Sequence, residues 1–196
     1  MASRRRLPDL ERTTERLTLR RLRQGDEAAF VGMVAESFEA WAPWTPASPP
    51  GITHADRFRH EMARADRGAR RGTHLRLGGF DPDGRLVGLF SLNEIVRGVF
   101  ESAYAGWQVR ASEQGRGVGT EGVRALLDLA FAPEPDGLGL HRVQANIMPT
   151  NAASLRVAEK LGLRKEGEAE RYLRIADRWE DHVMFGVTAE EWQPAQ

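Results

Sequence analysis

The chain has 196 residues with 28 Lys and Arg against 28 Asp and Glu, so its net charge is zero and nothing global points to nucleic acid or an anionic membrane. It contains no cysteine, which excludes disulfides, a thiol nucleophile and any Cys-based metal site. With 41% hydrophobic residues, no apolar run of spanning length and no apolar leader at the N-terminus, it reads as one soluble cytoplasmic domain with a sizeable core, and neither DNA nor a membrane is expected as a partner.

Residues 1–13 are polar and Arg-rich and read as a flexible lead-in to a single domain over 14–192. The Arg4-Arg5-Arg6 and Arg20-Arg21-Leu22-Arg23 clusters read as solvated surface. Arg16 to Arg20 alternates like a half-buried strand. Asp26 is placed to cap a helix whose apolar positions are Phe30, Val31, Val34 and Phe38. Trp41 to Gly51 contains Pro43, Pro46, Pro49 and Pro50 with two tryptophans, and it cannot be regular helix. A second helix is expected from His54 to about Arg70.

A meander follows. Strands are expected over Thr73–Phe80, Arg85–Ile95 and Glu101–Val109, the first two joined by the turn Asp81-Pro82-Asp83-Gly84. A helix carrying Val123, Leu126, Leu127, Ala130 and Phe131 on one face comes next and stops at Pro133 and Pro135. Arg142–Met148 reads as a strand. Asn151 caps a helix that ends at Gly162, and two last strands, Leu163–Ile175 and Trp179–Val187, meet at Ala176-Asp177. The order β-α-α-β-β-β-α-β-α-β-β predicts an α/β layered domain with a mixed sheet.

The segment Gln114-Gly115-Arg116-Gly117-Val118-Gly119-Thr120 lies between a strand and a helix. Three glycines in five positions let backbone amides approach a ligand, and amides at a helix N-terminus favour an anion. A phosphate or pyrophosphate is therefore expected. A nucleotide P-loop would need a lysine after its last glycine, and the only lysines are Lys160 and Lys165. Gly117-Val118-Gly119-Thr120-Glu121-Gly122 matches a dinucleotide fingerprint, but the next strand ends in Met148-Pro149-Thr150-Asn151 with no ribose-binding acid. Lone His54, His60 and His74 have no ligand spacing, so no metal is expected.

The Gln114–Gly119 loop, followed about thirty residues later by Asn151-Ala152-Ala153-Ser154 and Glu159-Lys160-Leu161-Gly162-Leu163, resembles the GNAT N-acetyltransferases. Tyr104-Ala105-Gly106-Trp107, His141-Arg142-Val143, Arg171-Tyr172-Leu173 and Trp179-Glu180-Asp181-His182-Val183 are similar to its RimJ/RimL branch, which acetylates ribosomal-protein N-termini. The resemblance spans about Leu17 to Trp192 and is strongest from Ser102 onward. It implies a mixed, mostly antiparallel sheet of about six or seven strands with splayed central strands and about four helices.

The same resemblance implies acetyl-CoA as acyl donor and an amine acceptor: a protein N-terminus, or alternatively a small-molecule amine. A non-catalytic acyl-CoA-binding module also stays open, as does a homodimer. Gln114, Gly115, Arg116, Gly117, Val118, Gly119 and Thr120 would hold the pyrophosphate. Asn146 and Asn151 would contact the cofactor, and a main-chain N–H among Trp107, Gln108 and Val109 would polarise the thioester. Ser154, with Tyr172 as rival, would protonate the leaving sulfur. Glu170, with Glu94 as rival, would serve as base. Trp41 and Trp44 would shape the acceptor pocket, and Asp181 with His182 read as a structural hydrogen bond between strands.

Overall fold

The computed structural model describes residues 6–47, 49 and 51–194. Its elements are β1 (Arg12–Thr13), β2 (Thr18–Arg20), α1 (Glu27–Trp41), α2 (His54–Arg71), β3 (Leu75–Phe80), β4 (Leu86–Val96), β5 (Ser102–Val109), α3 (Val118–Phe131), β6 (Arg142–Ile147), α4 (Ala152–Lys160), β7 (Arg164–Ile175) and β8 (Arg178–Thr188). The eight strands form one sheet in the order β1-β2-β3-β4-β5-β6-β8-β7. Every pairing is antiparallel except β5 with β6. The expected six or seven strands are joined by β1, from the segment expected as a lead-in. In that segment Leu7 and Leu10, each 5% exposed, belong to the main core. Arg4, Arg5 and Pro50 lie outside the described residues.

Local chemistry explains most boundaries. Thr53 and Asp56 close a reciprocal cap at the start of α2: the Asp56 amide donates to Thr53 Oγ1 at 3.1 Å and the Thr53 amide to Asp56 Oδ2 at 3.0 Å. Asp26 behaves differently from expectation. It ends a short 3-10 turn before α1, and its carboxylate turns back to the Arg23 amide and the Arg20 guanidinium. The Arg20 guanidinium holds that carboxyl below its ordinary range, outweighing burial.

The sheet carries apolar side chains on both faces. Leu75, Val87, Phe90 and Leu92 pack with α3 and α4, whereas Phe80 and Leu86 pack with Phe30, Met33 and Phe58 of α1 and α2. Asp128, on α3, accepts from buried Trp192 Nε1 at 2.9 Å and from Arg12 at 3.2 Å, so one carboxylate ties both ends of the described chain to the same helix.

Candidate active site

The central feature is a parallel pairing that stops early. β5 and β6 are in register only over Ser102↔Arg142, Ala103↔Val143 and Tyr104↔Gln144. Beyond that the strands diverge, although β5 stays paired to β4 as far as Val109. Along β5 the carbonyls of Tyr104 and Gly106 are taken by Asn93 and Ser91 of β4. Strand alternation therefore turns the peptide groups of Ala105, Trp107 and Val109 towards the gap and those of Gln108 away from it. The carbonyl of Val109 is held by Trp41 Nε1 at 2.9 Å, which leaves Ala105 and Trp107 as the open edge.

A cleft of about 380 Å³ opens at this divergence. One wall is β5 from Ala105 to Val109. The other is Asn146, Ile147 and Met148 with the start of α4, and Trp41 and Trp44 flank it. The glycine turn lies at its mouth. Gly117 sits at φ 87°, a left-handed conformation that suits glycine, and α3 begins directly after it at Val118, so the glycine loop opens the helix as expected. The first intrahelical bond runs from the Glu121 amide to the Gly117 carbonyl at 3.0 Å, so the amides of Val118, Gly119 and Thr120 have no acceptor within the helix. They leave three unpaired N–H donors at the positive end of the helix, and Arg156 and Lys160 also line the cleft.

Side chains distant in sequence hold this turn in place. Ser37 Oγ accepts from the Ala111 amide at 3.0 Å and Glu36 from the Ser112 amide at 2.9 Å, so α1 fixes the approach. The Arg16 guanidinium donates to the Arg116 carbonyl at 2.9 Å and to Glu121 at 2.7 Å. Burial alone would push the Glu121 carboxyl up, but the Thr14 hydroxyl, the Arg16 amide and the Arg16 guanidinium outweigh it and hold it low. Stability from a carboxyl held low is present above its unfolded value, near 4.3, and is lost as pH falls through the folded value. Glu121→Gln is therefore expected to lower the denaturant midpoint at pH 7 and to converge with the wild type towards pH 3. A deficit that stays constant across that range would show that ionisation of Glu121 is not what stabilises the turn.

Most of the expected site residues meet here. Trp41, Trp44, Trp107, Gln108, Val109, Gln114, Gly115, Gly117, Gly119, Thr120, Asn146, Asn151 and Ser154 all line the cleft. Asn151 caps α4 by accepting from the Ser154 amide at 3.1 Å, which sets the Ser154 side chain on the first turn facing the gap. Five expected residues are not on its lining. The Arg116 side chain is 69% exposed and lies 3.9 Å from Glu113, and the Val118 side chain is buried at the start of α3. Glu170 is exposed on the outer strand. Glu94 is exposed too, at φ 49° where the β4–β5 register slips.

Tyr172 stands just behind the lining. It receives a hydrogen bond from Asn146 Nδ2 at 3.0 Å and contacts His182 edge-on at 5.5 Å. Burial, reinforced by Tyr104 and the charge of Glu94, pushes its phenol up, so it stays protonated and is a donor rather than a base. Asp181 does form a strand-to-strand link, accepting from the Arg171 amide at 2.7 Å. Sequence reading missed the cleft positions of His182, Met148 and Glu113. Strand register carries in His182 and Met148, and Glu113 enters on the short 3-10 turn Ala111–Glu113 just before Gln114.

The Acetyltransferase (GNAT) domain description matches residues 16–164. This chain belongs to the GNAT acetyltransferase family. It is similar to the [Ribosomal protein uS5]-alanine N-acetyltransferase of Escherichia coli K12, 28% identical over 191 residues and spanning 97% of this chain and 96% of that one. Among solved structures, Mycobacterium smegmatis RimJ in complex with CoA-disulfide superposes with a TM-score of 0.80 at 29% identity, covering 89% of this chain and 83% of that one. The ribosomal-protein-S5-alanine acetyltransferase of Vibrio fischeri shares the fold, with a TM-score of 0.82 at 24% identity over 95% of this chain and 100% of that one.

The RimJ/RimL resemblance of the motifs is thus borne out, and the GNAT sheet with its open β5–β6 divergence is the family's architecture. The chain is an acyl-CoA-dependent N-acetyltransferase. GNAT enzymes use acetyl-CoA as donor. No helix among the described residues is long and apolar enough to cross a membrane.

Proposed function

We propose that this chain transfers the acetyl group of acetyl-CoA to the N-terminal α-amine of a protein, by direct attack with both reactants in the cleft. The observation that carries this reading is the open β5 edge running from the anion-binding turn at α3 to a lining with a single, already paired carboxylate. Among the described residues that carboxylate is Glu113, held by Arg85 at 2.6 Å. A polyamine carries several positive charges and would call for unpaired carboxylates, which this lining lacks. The named activity of the Escherichia coli relative, on the alanine of a ribosomal protein, supports the same acceptor class.

The amides of Gly117 to Thr120 would bind the pyrophosphate, with Gln114 and Gly115 shaping the turn and Arg116, Arg156 and Lys160 neutralising phosphate charge. The Ala105–Trp107 edge would take the pantetheine amides in place of the missing β6 ladder, and the Trp107 amide would stabilise the oxyanion. Asn151 positions α4 so that the Ser154 hydroxyl would donate its proton to the departing thiolate. Trp41 and Trp44 would bound the acceptor. Holding both reactants together removes much of the entropy cost of a bimolecular step.

The acceptor's own acidity favours an α-amine. With a pKa near 8, roughly one in five is neutral at pH 7.4, against about one in a thousand for a lysine near 10.4. The test is thiol release from acetyl-CoA with alanine- and serine-initiated peptides, the same peptides N-terminally blocked but bearing lysine, and spermine. At least tenfold higher kcat/KM on the free N-termini is expected. Preference for spermine or for the blocked peptides would overturn the α-amine reading.

A further inference from the structure

The floor of the cleft contains an imidazole for which the roles above have no use. His182 is 4% exposed, yet it lines the cleft, so the surface it retains is cleft surface. Its Nδ1 lies 3.0 Å from the carbonyl oxygen of Glu180. A carbonyl only accepts, so Nδ1 carries the proton and Nε2 of the neutral ring keeps its lone pair. Among the described residues no hydrogen bond engages Nε2.

Beside it stands a second unsatisfied acceptor. Asn146 Nδ2 donates to Tyr172 Oη, and the buried Asn146 Oδ1 has no partner. Register explains why the two meet: Asn146 faces Met184 across β6 and β8, and His182 lies two residues from Met184 on the same face. The Tyr172 ring packs edge-on against the imidazole and braces both. A buried acceptor without a partner is uncommon because it costs desolvation free energy, so Asn146 Oδ1 beside the open Nε2 on a cleft wall marks a place for a group that brings N–H donors.

We infer that His182 accepts the proton of the attacking amine at Nε2, with Asn146 Oδ1 orienting that amine through a second N–H. This rests on the reading of the cleft as the acetyl-transfer site. The amine enters neutral, having left its extra proton to solvent. Its nitrogen lone pair attacks the thioester carbonyl carbon and a C–N bond forms. The tetrahedral adduct collapses with cleavage of the C–S bond, and one N–H proton passes to His182 as the amide forms. The thiolate leaves as the CoA thiol with a proton from Ser154, which regains one from the imidazolium directly or through water. His182 is thus a catalytic residue, in place of a carboxylate.

Two substitutions separate this role from a purely structural one. In His182→Asn the side-chain nitrogen falls where Nδ1 was and keeps the bond to Glu180, but nothing stands at Nε2. In His182→Gln that bond is lost and an amide reaches the Nε2 position. Turnover is measured on whichever primary amine of the acceptor set gives the highest wild-type rate, with acetyl-CoA affinity measured in parallel. Both variants are expected to bind acetyl-CoA within threefold of the wild type and to lose kcat by roughly 100- to 1000-fold. If His182→Asn turns over within threefold of the wild type, or if both variants lose acetyl-CoA affinity as much as kcat, the inference falls. A change of preferred acceptor overturns only the α-amine reading and leaves the histidine to be decided by these ratios.

Discussion

Replacing Gly119 by glutamate is expected to weaken acetyl-CoA binding by about two orders of magnitude without lowering the melting temperature. Gly119 lies in the first turn of α3, lines the cleft, and has no left-handed requirement. A Cβ there would stand 3.3 Å from Val109 Cγ2 and 3.5 Å from Val157 Cγ2, a tight but tolerable fit. Acidic residues stabilise the first turn of a helix by roughly 0.3–1 kcal/mol, and glutamate is a better helix former than glycine. The charge that helps the helix opposes the ligand. Two like charges about 5 Å apart at an effective dielectric near 20 repel by roughly 3 kcal/mol, which is about 100-fold in Kd or more. Calorimetric titration with acetyl-CoA and a thermal scan test both halves. Binding retained within threefold would show that the α3 N-terminus does not hold the pyrophosphate.

The second large effect is on stability. Gly122→Ala is expected to cost about 3 kcal/mol and lower the melting temperature by roughly 6–12 °C for a chain of this length. Its Cβ would fall 2.1 Å from Phe90 Cζ and 2.3 Å from Cε1. The ring has nowhere to go: Phe90 is 1% exposed, and Cβ atoms added at Gly79 and Gly88 would stand 2.7 and 2.8 Å from the same ring. Helix α3 can cross the sheet at this height only where it lacks a side chain. At an exposed helical position the same change would stabilise by up to about 1 kcal/mol. A Gly122→Ala protein as stable as the wild type would therefore contradict the packing described. Partial recovery in a double variant with Phe90→Leu is expected, because the two positions share one contact.

Gly122 also shows where local reading misleads. As the third glycine of G-x-G-x-x-G it completes a dinucleotide fingerprint, and the missing acid after β6 was the reason to set that aside. In the folded chain its absent side chain serves Phe90, thirty-two residues earlier on β4. Asp26 teaches a similar lesson. Its position just before α1 is that of a cap, but Arg20 lies within reach of its carboxylate and a charge-assisted pair prevails over the helix amides.

Elements governed by near neighbours were legible. Asn151 with the Ser154 amide, the Asp81–Gly84 turn and the glycine stop after α4 all depend on groups two to five residues apart. The spacing of the Gln114–Gly119 and Asn151–Ser154 motifs was enough to place the family, and with it the divergence of the central strands. Strand alternation and the helical stripes settled the layers.

What the sequence by itself determined, then, is the order of elements, the glycine-rich turn before α3 and the class of chemistry. Only the tertiary structure decided which side chains share the cleft. Glu170, Glu94 and His182 are each a titratable residue on a strand, and nothing in their neighbours ranks them. The bulge between Ala169 and Leu173 and the left-handed turn at Glu94 carry the two carboxylates away from the lining, while the β6–β8 register brings His182 beside Asn146. In a sheet a shift of one residue moves a side chain to the opposite face, so membership of the site depends on pairings between strands tens of residues apart. The Arg16 hold on the glycine turn, closed across a hundred residues of chain, is decided in the same way.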